Sequence, residues 1–85
     1  MEEEQKPILV LYYNPHCPYC QKVLDFLKSM GKEIPLKNVE NDAKAKEELL
    51  HLGGKTQVPC LFIDGKPLYE SADIIDWLEQ KKDIL

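Results

Sequence analysis

The sequence predicts one α/β domain, a mixed four-stranded sheet flanked by three helices in the order β-α-β-α-β-β-α. Three observations predict it. The runs ILVLYY (8–13) and CLFI (60–63) are short and continuously apolar, as strands buried on both faces are. Between and after them lie segments with helical apolar spacing, each closed by a helix stop or opened by a capping residue. Asp64-Gly65 followed by PLY (67–69) reads as a tight turn and the return strand of a hairpin.

Taken in order, residues 1–7 (MEEEQKP) form a polar tail that ends at Pro7, and Asn14-Pro15 breaks the first strand. Val23, Leu24, Phe26, Leu27 and Met30 recur at helical spacing from Pro18, and Gly31 stops that helix. IPLKNV (34–39) is a second strand, with Pro35 placing its start near an edge or bend. Asn41 or Asp42 caps a second helix that ends at Gly53-Gly54. Ser71 is the expected cap of a third helix, which turns Ile74, Ile75 and Leu78 inward. The first βαβ unit needs a right-handed crossover and parallel strands, whereas the hairpin strands are antiparallel.

Eighty-five residues suit a single domain, 1–85, without repeats or linkers. A 44% hydrophobic and 31% charged composition argues against disorder. With a net charge of −4 and no dense Lys/Arg cluster, nucleic acid is not an expected partner. The acidic start lacks the basic-then-apolar order of a signal peptide, and no apolar run is long enough for a membrane span. A soluble cytoplasmic monomer is expected. Three cysteines, an odd number, fit a secreted disulfide framework poorly, so a close pair in a reducing compartment points to redox chemistry or metal binding.

That pair is Cys17 and Cys20, flanking Pro18-Tyr19. Proline favours the first helical position, which puts Cys17 at the N-cap and Cys20 at the third helical residue. The free amides of Tyr19 and Cys20 can point at the Cys17 sulfur, and with the helix dipole they favour the thiolate, the reactive form. Cys20 lies on the same face within reach of a disulfide. Cys17 is the expected exposed nucleophile and Cys20 the buried resolving thiol. The alternative is a structural or metal-bound pair, but a zinc site normally takes four ligands, and here only Cys60, His16 and His51 remain.

CPYC after a short strand, GKTQVPCLFIDGKPL (54–68) and ESADIIDWL (70–78) together resemble dithiol glutaredoxins over nearly the whole chain. The resemblance implies a thioredoxin-like fold and glutathione as reductant and co-substrate, with no tightly bound cofactor and no metal. It implies reduction of protein disulfides and of glutathione mixed disulfides, with Cys17 and Cys20 catalytic. The implied partners are disulfide-containing or glutathionylated proteins, ribonucleotide reductase among the candidates. Val58-Pro59 matches the loop that pairs with the peptide part of glutathione, and the resemblance implies a cis bond there. Ser71, Ala72 and Asp73 match the place that binds the γ-glutamyl end, and Tyr19, Lys22 and Gln57 complete the implied glutathione site. Lys55 and Thr56 lie in the approach to Pro59. Two rivals stand beside this reading: a redoxin reduced directly by thioredoxin reductase, and a glutathione-ligated iron-sulfur carrier.

The chain departs from the family pattern in places. Gln57 stands where threonine is usual, Tyr69-Glu70 where Gly-Gly is frequent, and Asn14-Pro15-His16 fills a turn that carries a basic residue in some members. YES (69–71) is similar to the glutathione-binding Glu-Ser pair in the N-terminal domain of glutathione transferases. The all-helical second domain of a transferase is absent, so that reading is not adopted. His16 can exchange protons with the nucleophile, although a solvent-exposed turn histidine is the plainer expectation. Cys60 is expected as a small strand hydrophobe, Trp77 as core packing, and His51 as a complement to the dipole at the end of the second helix.

Overall fold

The computed structural model describes residues 7–83; most of the expected polar tail lies outside them. The elements are β1 (Leu9–Tyr13), α1 (Pro18–Met30), β2 (Leu36–Asn38), α2 (Ala43–Gly53), β3 (Cys60–Ile63), β4 (Lys66–Tyr69) and α3 (Ser71–Gln80). They form one sheet in the order β2-β1-β3-β4. β1 runs parallel to β2, with Leu11 opposite Leu36, and antiparallel to β3, with Leu11 opposite Leu61. β3 and β4 form the expected antiparallel hairpin.

Alternation along the central strands sorts the core into two layers. Leu9, Leu11 and Leu61 pack with Val23 and Leu27 of α1 and Ile74 and Leu78 of α3. Tyr12, Cys60 and Phe62 face the other way, onto Ala45 and Leu49 of α2. The Tyr12 and Phe62 rings meet edge to face at 5.3 Å. Helices therefore cover both faces of the sheet, as the apolar runs require. Trp77 and Ile75 are partly buried against the first layer.

Local chemistry sets the boundaries. Gly31 and Gly54 close α1 and α2 in the left-handed conformation, at φ 70° and 84°. Asp42 is the cap of α2, accepting from the amides of Lys44 and Ala45 at 3.1 and 3.2 Å. β2 is shorter than the 34–39 expected. Its pairing with β1 does extend further in single bonds, Leu11 N to Pro35 O at 3.0 Å and Val39 N to Tyr13 O at 2.9 Å. Pro35 has no N–H to give the ladder, so regular pairing starts after it.

α3 brings a correction. Ser71 is not the cap but the first helical residue; Glu70 holds the cap position at φ 75° and ψ 117°, with no side-chain capping bond. The chain turns out of β4 at Glu70, whose carbonyl accepts the Ile74 amide at 3.0 Å, so the helix begins one residue earlier than a Ser cap requires. Among the described residues, no helix is long and apolar enough to cross a membrane.

Candidate functional site

β1 ends in the middle of the sheet and delivers the chain into a tight turn, residues 14–17, from which α1 starts at Pro18. Cys17 occupies the N-cap with extended backbone, φ −92° and ψ 120°, as the Cys-Pro order requires. Of the two amides expected at its sulfur, that of Cys20 makes the bond, at 3.4 Å. That bond places a backbone donor against the sulfur at the start of the helix. Cys17 is partly exposed and Cys20 fully buried, both as free thiols.

Burial pushes the Cys20 thiol up to about 12; the Asn14 amide pulls against that, while the neighbouring Cys17 adds to it. The two sulfurs are thus chemically unequal: one half-open at a helix N-terminus, one protonated and sealed beneath it. Cys60 is also fully buried, and burial pushes its thiol up to about 11 against the opposing pull of Tyr69, the Leu68 amide and Lys55. It is a buried strand residue, as expected of a small apolar side chain.

Tyr19 and Lys22, in the first turns of α1 after Cys17, line a groove of about 500 Å³ with Gln57, Val58, Pro59, Glu70, Ser71 and Ala72. The Val58-Pro59 bond is cis, as the resemblance implied. Seven of the expected ligand-site residues thus meet in one groove, from three separate segments of the chain. Asp73 is not among its lining residues; it is exposed in the first turn of α3. Lys22 lies over the Tyr19 ring, 5.5 Å from its centroid, and Tyr19 is 59% exposed. Lys55 turns away to the Tyr69 ring at 4.4 Å, and Thr56 lines a second groove on the other side of Val58.

Glu70 is the lining residue that sequence reasoning missed. Its carboxylate accepts from Gln57 Nε2 at 3.4 Å, which ties the two departures from the family pattern to each other. The Tyr69-Glu70-Ser71 triplet, with its likeness to the transferase Glu-Ser pair, is the signal in the sequence that points to it. His16 is exposed, with Nε2 3.3 Å from Glu40 Oε1, away from the groove lining. Among the described residues, no three His, Cys, Asp or Glu side chains cluster in a way that could hold a metal ion.

The sequence profile of the glutaredoxin family matches residues 9–68. The chain belongs to the glutaredoxin family. It is 32% identical over 75 residues to an uncharacterised glutaredoxin-like 8.6 kDa protein of the Clostridium pasteurianum rubredoxin operon, covering 86% of this chain and all of that protein. It is also 32% identical over 56 residues to glutaredoxin 3 of Escherichia coli strain K12, covering 66% and 68% of the two chains. Among solved structures, glutathione transferase Omega 3C of Trametes versicolor superposes with a TM-score of 0.76 at 31% identity, over 95% of this chain and 35% of that one. The fold is thioredoxin-like, and the family's chemistry is thiol oxidoreduction.

Proposed function

We propose that this glutaredoxin-family chain is a glutathione-dependent thiol-disulfide oxidoreductase that reduces protein disulfides and glutathione mixed disulfides in the cytoplasm. The observation that carries the reading is the unequal thiol pair at the start of the helix whose Tyr19 and Lys22 line the groove: Cys17 half-open at the α1 N-cap, Cys20 sealed below it. Cys17 thiolate attacks a substrate disulfide and forms a mixed disulfide, releasing the other sulfur as a thiol. Either Cys20 then attacks Cys17 and frees the substrate, or glutathione attacks the adduct directly.

The groove suits glutathione in charge. The start of α3 at Ser71 and Ala72 presents amides to a carboxylate, and Lys22 offers a cation to the ligand's negative groups. The resemblance places Asp73 at the γ-glutamyl end, where an acid could meet the ammonium group. Because Glu70 rather than Asp73 lines the groove, we assign that contact to Glu70. The likeness to a glutathione transferase supports the same ligand.

Mass spectrometry of the Cys20→Ser variant after exposure to glutathione disulfide tests the reading. One glutathione on Cys17 is expected. No adduct from folded, reduced protein would overturn it in favour of a redoxin served by thioredoxin reductase.

A further inference from the structure

Asn14 makes three hydrogen bonds around the thiol pair. Its side-chain Oδ1 accepts from the His16 amide at 2.8 Å, and its carbonyl accepts from the Cys17 amide at 3.0 Å. Its own amide donates to Cys20 Sγ at 3.5 Å. The first is an Asx turn, in which a short polar side chain fixes the backbone two residues on. Pro15, next in the chain, has a fixed φ and no N–H of its own. The Asn14 side chain and carbonyl therefore hold the turn together, and its product is an amide aimed at a sulfur that no solvent reaches.

We propose that Asn14 is a positioning residue for the resolving thiol: its side chain clamps the 14–17 turn so that its backbone N–H supports charge on Cys20 Sγ. The inference rests on the dithiol exchange proposed above. In the resolving step Cys20 gives up its proton, which ends on the departing substrate sulfur, and its thiolate attacks Cys17 Sγ. The Cys17–Cys20 bond forms as the Cys17–substrate bond breaks. The substrate sulfur departs as a thiolate and takes a proton, so the cysteine pair is oxidised by two electrons and the substrate reduced. When glutathione later attacks Cys17 of the disulfide, Cys20 is the leaving thiolate. Both steps place negative charge on a fully buried sulfur, where a fixed N–H donor matters most. The other titratable group facing Cys20 is Cys17.

The test uses the reduced full-length protein and an aromatic disulfide that releases a coloured thiol. The first release reports attack by Cys17 and the second reports resolution by Cys20; neither needs glutathione. If Asn14→Ala raises the Cys20 pKa by about one unit, its thiolate fraction falls about tenfold. The more basic thiolate is about threefold more nucleophilic, so the second release slows about threefold relative to the first. Asn14→Ser, whose hydroxyl can make the same turn more weakly, restores most of the ratio. Asn14→Gly, which keeps the N–H but loses the clamp, gives the reading through a second variant. An unchanged ratio of the two releases in both Ala and Gly variants overturns the role of Asn14, even if both releases slow together. Absence of a second release from the unaltered protein would instead overturn the dithiol reading itself.

Discussion

Raising the pH from 8 to 10 removes stability that the two buried thiols supply. Cys20 and Cys60 are both fully buried, and burial pushes them to about 12 and about 11 from an ordinary 9.0. In the unfolded chain each loses its proton near pH 9, whereas in the folded chain each keeps it. Between those values the folded state binds more protons, so stability falls as pH rises. The loss over pH 8–10 is on the order of 1 kcal/mol for each thiol and 2–3 kcal/mol together. A domain of this size has only about 5–15 kcal/mol in total. Tyr12 and Tyr69, also pushed up by burial, add in the same direction towards pH 10 and above. Urea unfolding under a phosphine reductant reads the effect as a fall of about 1–2 M in the midpoint. The Cys20→Ser, Cys60→Ala double variant should lose most of the dependence, and Cys17→Ser should keep it. Stability that stays flat from pH 8 to 10, or an undiminished fall in the double variant, refutes the reasoning.

Other consequences are separable by assay. Cys20→Ser should retain turnover of small glutathione mixed disulfides and lose at least tenfold in reduction of a protein disulfide; equal loss of both would remove the division of roles. Gly53→Ala should cost about 2 kcal/mol. The new methyl would run into the Tyr69 hydroxyl, which donates to Gly53 O at 2.9 Å, with Phe62 Cζ 3.5 Å away. Tyr69→Phe in the same chain should recover part of that loss in a thermal melt. Ser71→Leu should raise the KM for glutathione about tenfold while moving the thermal midpoint little, the size expected when a hydrogen bond to a charged group is lost. A large fall in midpoint with unchanged KM would make Ser71 a structural residue.

Element order and pairing were legible because the signals were local and concordant. The apolar runs at 8–13 and 60–63, the Asp64-Gly65 turn and the glycines after α1 and α2 each specify their own backbone. Cys17 at the helix N-cap followed directly from the proline after it. What the sequence concealed depends on long-range geometry. Glu70 carries no sign that its backbone sits at φ 75°, and that conformation moves the start of α3 and brings its side chain into the groove in place of Asp73. The Asn14-Pro15 pair was readable as a strand breaker. That its amide meets Cys20 Sγ depends on how the turn folds back over α1.

The most direct test of the central claim is glutathione-dependent reduction of a small glutathione mixed disulfide by the unaltered protein, coupled to NADPH oxidation through glutathione reductase. The proposed function predicts rapid turnover that saturates with the mixed disulfide and vanishes in Cys17→Ser. Folded, reduced protein that shows no turnover with glutathione, yet accepts electrons from thioredoxin reductase, would contradict it.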